Sequence, residues 1–579
     1  MKRYWKYAKP YLSAFIIGPI LMIVEVIGEV VMPWLLSNII DNGINGGKGV
    51  SYIIAMGITM VVTALCMMAG GVGGAYFAIK ASSGFANDLR KDLFRKIQRF
   101  SFTNIDQYQP GSLITRLTND ITQVQNMIQM LMRMALRAPG MLIGALIMAF
   151  ALNPGLALVI LCVMPLLGIA IYFIMKVAFP RFTNMQKKLD ALNTTTQENL
   201  TNIRVVKSFV RERHEEDKFR RANTELKDST LSAMNVVIFA IPVMTLAMNI
   251  TTLAVVWFGG NQIIAGSLTP GVLTAFINYV VQILVSLMLV SFIILNSSRT
   301  LASARRINEV MRTDIDLTDE NAAHKDMVVR RGKIEFRNVY FKYYKNNEKW
   351  VLENINLVIN PGETVGIIGS TGSGKSSLVQ LIPRLYDVDR GEVLVDDVNV
   401  KDYSLKNLRS GVGIVLQKNV LFSGTIKENL KWGNEEASDE EIQRWAASAQ
   451  AHGFITSFPD GYETELGQGG VNVSGGQKQR LCIARALLKR PKILILDDST
   501  SAVDTATEAR IRESFRNELK GTTKIIIAQR ISSVMDADKI VVLDDGRIVG
   551  MGTHEELMES CEAYSEIYYS QMEKKVTAS

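Results

Sequence analysis

The sequence predicts an α-helical transmembrane domain of six helices, followed by an α/β domain with a largely parallel core sheet. Of the 579 residues, 48% are hydrophobic, and mean hydropathy is +0.14. These values are too apolar for an ordinary soluble protein and too polar for one that lies wholly in a membrane. The first 312 residues hold long apolar runs, whereas the later residues alternate short strand-like runs with helical stretches, which is typical of an α/β fold.

The apolar runs come close to or exceed the roughly 20 residues with which a helix crosses about 30 Å of hydrocarbon. They predict membrane helices at about residues 12–37, 52–78, 134–152, 155–174, 236–258 and 272–295, within a transmembrane domain at 1–312. The first run is too long for a cleaved signal peptide, and no small-residue cleavage site follows it. We therefore interpret it as a permanent membrane helix.

The distribution of basic residues predicts the orientation of these helices. Lys and Arg are concentrated in the N-terminus and in two long segments, between the second and third helices and between the fourth and fifth. The opposite loops are short, with Lys48 as their only basic residue. By the positive-inside rule, both termini are expected in the cytoplasm of a multi-pass protein of the cell (inner) membrane. The same distribution accounts for the net charge of +8, so no nucleic-acid partner is expected.

The two long cytoplasmic segments have few helix breakers. They predict helices that continue past the membrane and return, as intracellular extensions that project roughly 35–40 Å at 1.5 Å per residue. A short transverse helix at each tip could contact a soluble domain, and a solvated hairpin without a partner is the alternative. The four cysteines have no paired spacing, so neither a disulfide framework nor a metal cluster is expected.

Glu25 and Glu29 lie four residues apart in the first predicted span and therefore share one face of a helix. A carboxylate within hydrocarbon is costly unless it faces the bundle interior, is paired or is protonated. One interpretation is a cation-attracting or proton-sensitive wall of a possible substrate cavity. The alternatives are a structural hydrogen bond to a neighbouring helix and a hydrated position near the interface.

Methionines in the predicted spans suit promiscuous binding of apolar ligands, but methionine is also a common lipid-facing residue in membrane helices.

After a linker predicted at residues 313–331, a phosphate-binding loop marks the domain at 332–579. The loop follows an apolar strand, precedes a helix-like run and consists of Gly369, Ser370, Thr371, Gly372, Ser373, Gly374, Lys375 and Ser376. Glycines let backbone N–H groups point at phosphate oxygens, Lys375 reaches the β- and γ-phosphates, and the Ser376 hydroxyl ligates Mg²⁺. Asp497, at the end of another apolar strand, can hold the same ion directly or through water. The domain is therefore predicted to bind ATP and Mg²⁺.

A second motif, Ser474-Gly475-Gly476-Gln477, resembles the signature motif of ABC transporters. Tyr343 resembles the aromatic residue that stacks on adenine, and Gln417 resembles the glutamine that contacts Mg²⁺ and links the site to the membrane domain. Residues 501–504 match the loop that communicates between two ATP sites. Six helices fused N-terminally to the ATPase are similar to an exporter-type half-transporter. The resemblance covers essentially the whole chain and implies an α/β P-loop ABC-type ATPase domain.

The resemblance also implies how the motifs act. In the family, the signature serine and glycines cap the γ-phosphate of ATP that is bound to the other subunit of a dimer. Ser377, directly after the phosphate-binding loop, joins the residues expected to bind nucleotide. Short coupling helices at the tips of the intracellular extensions dock on the ATPase domains, and here they are expected near residues 101–109 and 199–209.

Two catalytic positions depart from the family pattern. Asp498 stands where the family has the glutamate that activates the attacking water. Its carboxylate is withdrawn by about one C–C bond, and a misplacement of that order can cost about 100-fold in rate. Gln529 stands where the family has a switch histidine, and glutamine cannot become a cation beside developing negative charge. A third departure, Gly467-Gln468-Gly469-Gly470, lacks the acidic and basic residues usual in exporters.

This pattern resembles the degenerate-site subunit of heterodimeric bacterial multidrug ABC exporters. It implies a second half-transporter subunit with the consensus glutamate and histidine, whose competent site this chain's signature completes. The expected function is ATP-driven export of hydrophobic or cationic drug-like compounds across the cell membrane, with membrane lipids as further partners. Two alternatives stay open: a homodimeric lipid or peptide exporter that hydrolyses ATP with Asp498, and a non-transporting ABC channel or sensor.

Overall fold

The computed structural model describes residues 2–345, 347–498 and 503–576. Tertiary contacts divide the chain into two compact units. The membrane unit comprises Met1–Gln98 and Pro110–Arg312, and the α/β unit comprises Arg99–Gln109 and Thr313–Ser579. A short piece of the first predicted cytoplasmic excursion is therefore part of the α/β unit.

The membrane unit is built from helices whose lengths follow from long stretches without strong helix breakers. Their bounds are α1 (Lys2–Ala8), α2 (Leu12–Asn38), α3 (Gly49–Gln98), α5 (Pro110–Thr115), α6 (Ile121–Met134), α7 (Arg137–Leu152), α8 (Pro154–Thr201), α9 (Ile203–Ser208), α10 (Glu212–Ile264) and α11 (Pro270–Arg312); α4 (Phe102–Asp106) belongs to the α/β unit. Asn153 separates α7 from α8, because its side chain caps α8 by accepting a hydrogen bond from the Leu156 N–H at 3.0 Å.

Five helical segments of the described residues are long and apolar enough to cross a membrane. They are Tyr4–Asn45, Gly49–Gln98, Pro110–Leu152, Pro154–Thr201 and Pro270–Val290. Five of the predicted spans fall within or overlap these segments. The sixth, at residues 236–258, lies within α10 and includes positions whose side chains are outside the description.

Four helices of the described part of the chain are much longer than a bilayer requires. Helices α3, α8, α10 and α11 have 50, 48, 53 and 43 residues, or about 65–80 Å at 1.5 Å per residue. The prediction of a helical transmembrane domain with long extensions is therefore confirmed.

Helices α2 and α3 approach each other closely at glycine. A Cβ on Gly70 would lie 2.8 Å from the carbonyl oxygen of Leu21, so only the bare backbone of α3 fits there. On another side of α2, the buried hydroxyl of Tyr279 donates a hydrogen bond to the Val30 carbonyl at 2.9 Å, which fixes α11 against α2. These contacts place the polar residues of α2 inside the bundle.

The α/β unit contains twelve strands within its described residues. They are β1 (Ile334–Phe341), β2 (Leu352–Ile359), β3 (Thr364–Gly369), β4 (Arg390–Val395), β5 (Val398–Asn399), β6 (Val412–Val415), β7 (Gly424–Thr425), β8 (Glu465–Leu466), β9 (Ile493–Asp497), β10 (Thr523–Ile527), β11 (Lys539–Asp544) and β12 (Arg547–Gly552). Besides α4, its helices are α12 (Lys375–Gln380), α13 (Leu405–Gly411), α14 (Ile426–Lys431), α15 (Asp439–Ser448), α16 (His452–Thr456), α17 (Gly475–Leu488), α18 (Thr505–Glu518), α19 (His554–Ser560) and α20 (Glu562–Val576).

The main sheet has the strand order β12-β11-β3-β10-β9-β6. All neighbours pair in parallel except the edge strand β12, which is antiparallel to β11. This confirms the predicted α/β domain with a largely parallel core sheet. Since parallel strands end at the same edge, the carboxyl ends of β3 and β9 bring the two predicted phosphate and Mg²⁺ motifs together.

A second sheet was not predicted from the sequence. It is antiparallel, with the order β2-β1-β4-β5. Strand β1 alternates buried and less buried residues, as a strand with one covered face does. This sheet carries Phe341 at the end of β1, and Tyr343 lies two residues beyond it.

Candidate nucleotide-binding site

The phosphate-binding loop joins β3 to α12 and depends on glycine for its shape. Gly372 and Gly374 have φ values of +87° and +95°, and a Cβ on Gly374 would lie 2.9 Å from the Val351 carbonyl oxygen. Any residue other than glycine would therefore be strained at positions 372 and 374. Ser370, Thr371 and Gly372 are exposed. The curve of the loop is open on that side, as a backbone nest for anions must be.

The Lys375 side chain folds back along this loop. Its ammonium donates hydrogen bonds to the carbonyl oxygens of Gly369 at 2.8 Å and Ser370 at 2.7 Å. Burial lowers the pKa of Lys375, and the carboxylates of Asp498 and Asp497 act in the opposite direction. A cation held at the loop by backbone carbonyls is well placed to meet phosphate oxygens.

Ser376 and Asp497 form the expected oxygen pair for Mg²⁺. Asp497 is the last residue of β9 and is 3% exposed, and the Ser376 hydroxyl donates to its Oδ1 at 2.8 Å. Burial raises the pKa of Asp497, while the hydrogen bond from Ser376 lowers it. A hydroxyl and a carboxylate oxygen this close match the hard oxygen ligands that Mg²⁺ prefers.

Asp498 and Gln529 contact each other directly. The Gln529 amide nitrogen donates to Asp498 Oδ2 at 2.6 Å, and Gln417 also hydrogen-bonds this carboxylate. Burial raises the pKa of Asp498, whereas the bonds from Gln529 and Gln417 lower it. Asp498 has a φ of +48°, a left-handed conformation that Asp adopts more readily than most residues. The three predicted residues Asp498, Gln529 and Gln417 thus form one hydrogen-bonded group.

Tyr343 lies beside the phosphate-binding loop. Its hydroxyl is 2.8 Å from the Ser377 hydroxyl, and its ring meets Phe341 and Tyr386 edge to face, at centroid distances of 4.9 and 5.1 Å. Burial raises the pKa of Tyr343. The structure therefore joins two residues that were predicted separately, Tyr343 and Ser377, and adds Tyr386, which sequence reasoning missed because nothing in its local pattern marks it.

The signature residues lie on another helix of the unit. Ser474 caps α17 in a capping box: its hydroxyl accepts from the Gln477 N–H at 3.3 Å, and its own N–H donates to Gln477 Oε1 at 2.8 Å. Ser474 and Gly475 are exposed. Together with Gly476, they present the N-terminus of a 14-residue helix, where backbone N–H groups favour an anion.

The other motifs have mixed outcomes. Of the predicted communication loop, Ser501 and Ala502 lie outside the described residues, and Asp504 caps α18 by accepting from the Thr507 N–H at 2.9 Å. The Gly467–Gly470 segment forms a tight turn in which Gly469 and Gly470 have positive φ. At the predicted tips, residues 101–109 contain α4 and residues 199–209 contain α9.

The two membrane glutamates share one arginine, which sequence reasoning missed. Arg137, at the start of α7, forms a 3.1 Å ion pair with Glu25 and a second ion pair with Glu29. The Gln282 amide donates to the Glu29 carbonyl at 2.8 Å. The buried oxygens Glu25 Oε2, Glu29 Oε2 and Gln282 Oε1 have no hydrogen-bond partner among the described residues. A single arginine within an apolar predicted span was the available signal.

Comparisons with known proteins agree with this architecture. A family model described as the ABC transporter transmembrane region matches residues 15–287, and one described as ABC transporter matches residues 352–501. The chain is 42% identical to an uncharacterized ABC transporter ATP-binding protein, YfiB of Bacillus subtilis, over 99% of this chain and 98% of that one. It is 36% identical to a putative multidrug export ATP-binding/permease protein, YgaD of the same species, over 98% of both chains.

A solved structure shows the same fold. It is a bacterial Atm1-family ABC exporter with ATP bound, and the TM-score is 0.79 at 26% sequence identity. The match covers 97% of this chain and 98% of that one, so both the membrane unit and the α/β unit have counterparts in it.

Proposed function

Because the chain belongs to the ABC transporters, as an exporter half with fused membrane and nucleotide-binding domains, we propose that its own P-loop site binds MgATP but hydrolyses it slowly. The observation that carries this proposal is the 2.6 Å hydrogen bond between Gln529 and Asp498. The side chain of Asp498, in the position of the catalytic base, is shorter than glutamate, and one of its carboxylate oxygens already accepts a hydrogen bond from the Gln529 amide.

The chemistry of hydrolysis explains why this pair is slow. A general base must reach the water that attacks the γ-phosphate, and Asp498 is shorter than the family's glutamate. Gln529 is neutral at every pH, so it supplies no positive charge to the developing phosphate charge. By contrast, Lys375, Ser376 and Asp497 are arranged to hold MgATP. Binding is therefore expected to persist where turnover is weak.

The exposed signature of this chain then serves a second subunit. ABC exporters act as dimers in which each signature faces the partner's nucleotide. Ser474, Gly475 and Gly476 are intact and solvent-facing or half-buried. We propose that they complete the competent site of a different half-transporter, which carries the glutamate and histidine that this chain lacks.

The test uses the full-length chain in lipid nanodiscs, first alone. Wild type should bind MgATP yet hydrolyse it slowly, and the double variant Asp498→Glu/Gln529→His should raise turnover by about 100-fold, since a catalytic group returns to its working position. Lys375→Ala is the control for binding. Brisk turnover by the wild-type chain alone, abolished by Asp498→Asn, would contradict the proposal and favour the homodimer.

For the substrate, we propose a lipophilic cation. The proposal is supported by the arginine–glutamate group in the membrane, where one guanidinium serves two carboxylates and three buried oxygens keep acceptor capacity. Two carboxylates and one guanidinium leave one negative charge unbalanced, which a protonated amine or a quaternary ammonium group would balance. The similarity to a putative multidrug export protein points the same way.

Inverted membrane vesicles test the substrate and the cytoplasmic orientation together, because ATP is added outside. We expect ATP-dependent uptake of ethidium, and about tenfold less in Glu29→Gln because a buried charged partner is lost. Glu198→Gln, at an exposed position of the second predicted cytoplasmic segment, is the control. Equal uptake by wild type and Glu29→Gln would argue against the cation site.

A further inference from the structure

Helix α4, at the tip of the first cytoplasmic excursion, is anchored in the α/β unit. Ser101 and Asn104 form its capping box and are buried. The Asn104 amide also donates to the Asp314 carbonyl at 3.1 Å, and the Ser101 hydroxyl donates to Asp316. One side of α4 is thus held by residues that follow α11 in the chain.

Tyr386 holds α4 from another side. Its hydroxyl donates to Asp106 Oδ2 at 2.7 Å, and its ring lies 5.9 Å from that of Phe102. Tyr386 is only 8% exposed. Burial and the Asp106 carboxylate both raise the pKa of Tyr386, so the hydroxyl keeps its proton and remains a donor. A hydrogen bond to a carboxylate is stronger than one between neutral groups.

The same ring also touches the nucleotide site. Tyr386 meets Tyr343 nearly perpendicularly, at 85° and a centroid distance of 5.1 Å, and Tyr343 in turn reaches Ser377 at the phosphate-binding loop. One buried side chain therefore contacts both α4 and the tyrosine expected beside adenine. Packed aromatic rings have few alternative orientations, since interiors are close-packed.

We infer that Tyr386 is a positioning residue through which a base at Tyr343 fixes the orientation of α4. The inference rests on the proposed function, in which MgATP binds at the phosphate-binding loop, and on the resemblance of Tyr343 to the aromatic residue that stacks on adenine. A stacked base restricts the Tyr343 ring, the perpendicular contact restricts Tyr386, and the Tyr386 hydroxyl is then held towards Asp106. A triphosphate without a base engages Lys375 but leaves Tyr343 unrestrained.

Amide hydrogen exchange of residues 101–109 measures this link in the full-length chain in nanodiscs. MgATP should slow exchange there about fivefold more than magnesium tripolyphosphate, the effect of roughly one hydrogen bond. Tyr386→Phe keeps the ring but removes the donor, so at saturating concentrations of each ligand the difference between the two ligands should vanish. Asp106→Ala, which changes α4 instead, should give the same loss.

Tyr403→Phe is the matched control, because the buried Tyr403 hydroxyl donates to the Val395 carbonyl at 2.9 Å in the same unit. It should leave exchange of 101–109 as in wild type. Retention of the ATP-specific slowing in Tyr386→Phe, or equal slowing by both ligands in wild type, overturns the inference alone. Failure of wild type to bind MgATP overturns the proposed function and this inference with it.

Discussion

Gln529 is held at its backbone as well as at its side chain. The Gln571 amide, on α20, donates to the Gln529 carbonyl at 2.8 Å, and Gln571 Oε1 accepts from the Ile531 N–H at 2.9 Å. Together with the bond from Gln529 to Asp498, this makes a chain of contacts from the last described helix to Asp498, the position predicted to be catalytic.

Replacing Gln571 with Ala should loosen this loop. The Ile531 N–H loses its acceptor, so its amide exchange should rise about fivefold, as expected for the net loss of roughly one hydrogen bond. Mass-spectrometric exchange of residues 529–531 provides the measurement. Glu566→Ala, an exposed change on the same helix, serves as the control, and unchanged exchange in Gln571→Ala would count against a positioning role.

At the scale of single residues, the sequence predicted which residues belong to the candidate site better than it predicted the contacts between them. The motifs identified Asp498, Gln529 and Gln417 one by one, because each sits at a fixed place in a recognisable pattern. That the three share a hydrogen-bonded group depends on how the ends of β6, β9 and β10 line up. Gln571 and Arg137 carry no motif at all, since their roles arise only from tertiary packing.

Among the elements, α3 shows how closely two membrane helices pack. Gly70→Ala places a methyl group 2.8 Å from the Leu21 carbonyl, and overpacking of this kind costs about 1–3 kcal/mol. We therefore expect a lower thermal unfolding temperature for the purified protein in detergent.

Gly57 offers a control on the same helix, because a Cβ there has nothing within 4 Å. Gly57→Ala should be neutral or stabilise by up to about 1 kcal/mol, since alanine favours helix. If both variants shift the unfolding temperature equally, close packing at Gly70 is not the cause.

Hydropathy predicts where lipid covers a helix and not where the helix ends. The span predicted at 52–78 is about half of α3, which continues to Gln98 because charged residues in water keep the helical conformation. In the α/β unit, apolar runs identified the parallel strands, whose burial makes them continuous. The antiparallel sheet of β1, β2, β4 and β5 was missed as a sheet, because β1 and β2 are less buried at alternate positions and β5 has only two residues.

At the scale of the whole molecule, we expect changes in the signature motif and in the P-loop of this chain to affect ATP turnover unequally. In the proposed complex with a second half-transporter, Gly475→Asp would put a carboxylate beside the γ-phosphate of the ATP bound to that subunit, and loss of one such anion-stabilising contact costs about 100–1,000-fold in rate. Lys375→Ala, at the P-loop site that we propose to hydrolyse ATP slowly, should lower turnover only a few-fold. Phosphate release by the two purified complexes measures the ranking.

Gly475 is the first residue of α17, and a negative charge in the first turn of a helix is favourable because of the helix dipole. Gly475→Asp is therefore not expected to disturb α17. Circular dichroism and the yield of intact complex check this. The reverse ranking, with Lys375→Ala the more damaging change, would place hydrolysis at this chain's own P-loop.

Helix α3 contains no proline along its 50 residues, whereas α8 has Pro165 and Pro180 and α10 has Pro242. A proline removes a backbone hydrogen bond and gives a helix a place to bend. An unbroken rod of about 75 Å behaves as a lever: tilting one end by a few degrees sweeps the other through several ångströms. Small rotations at one end of α3 are thereby magnified into displacements at the other end that are comparable to the width of an aromatic ring.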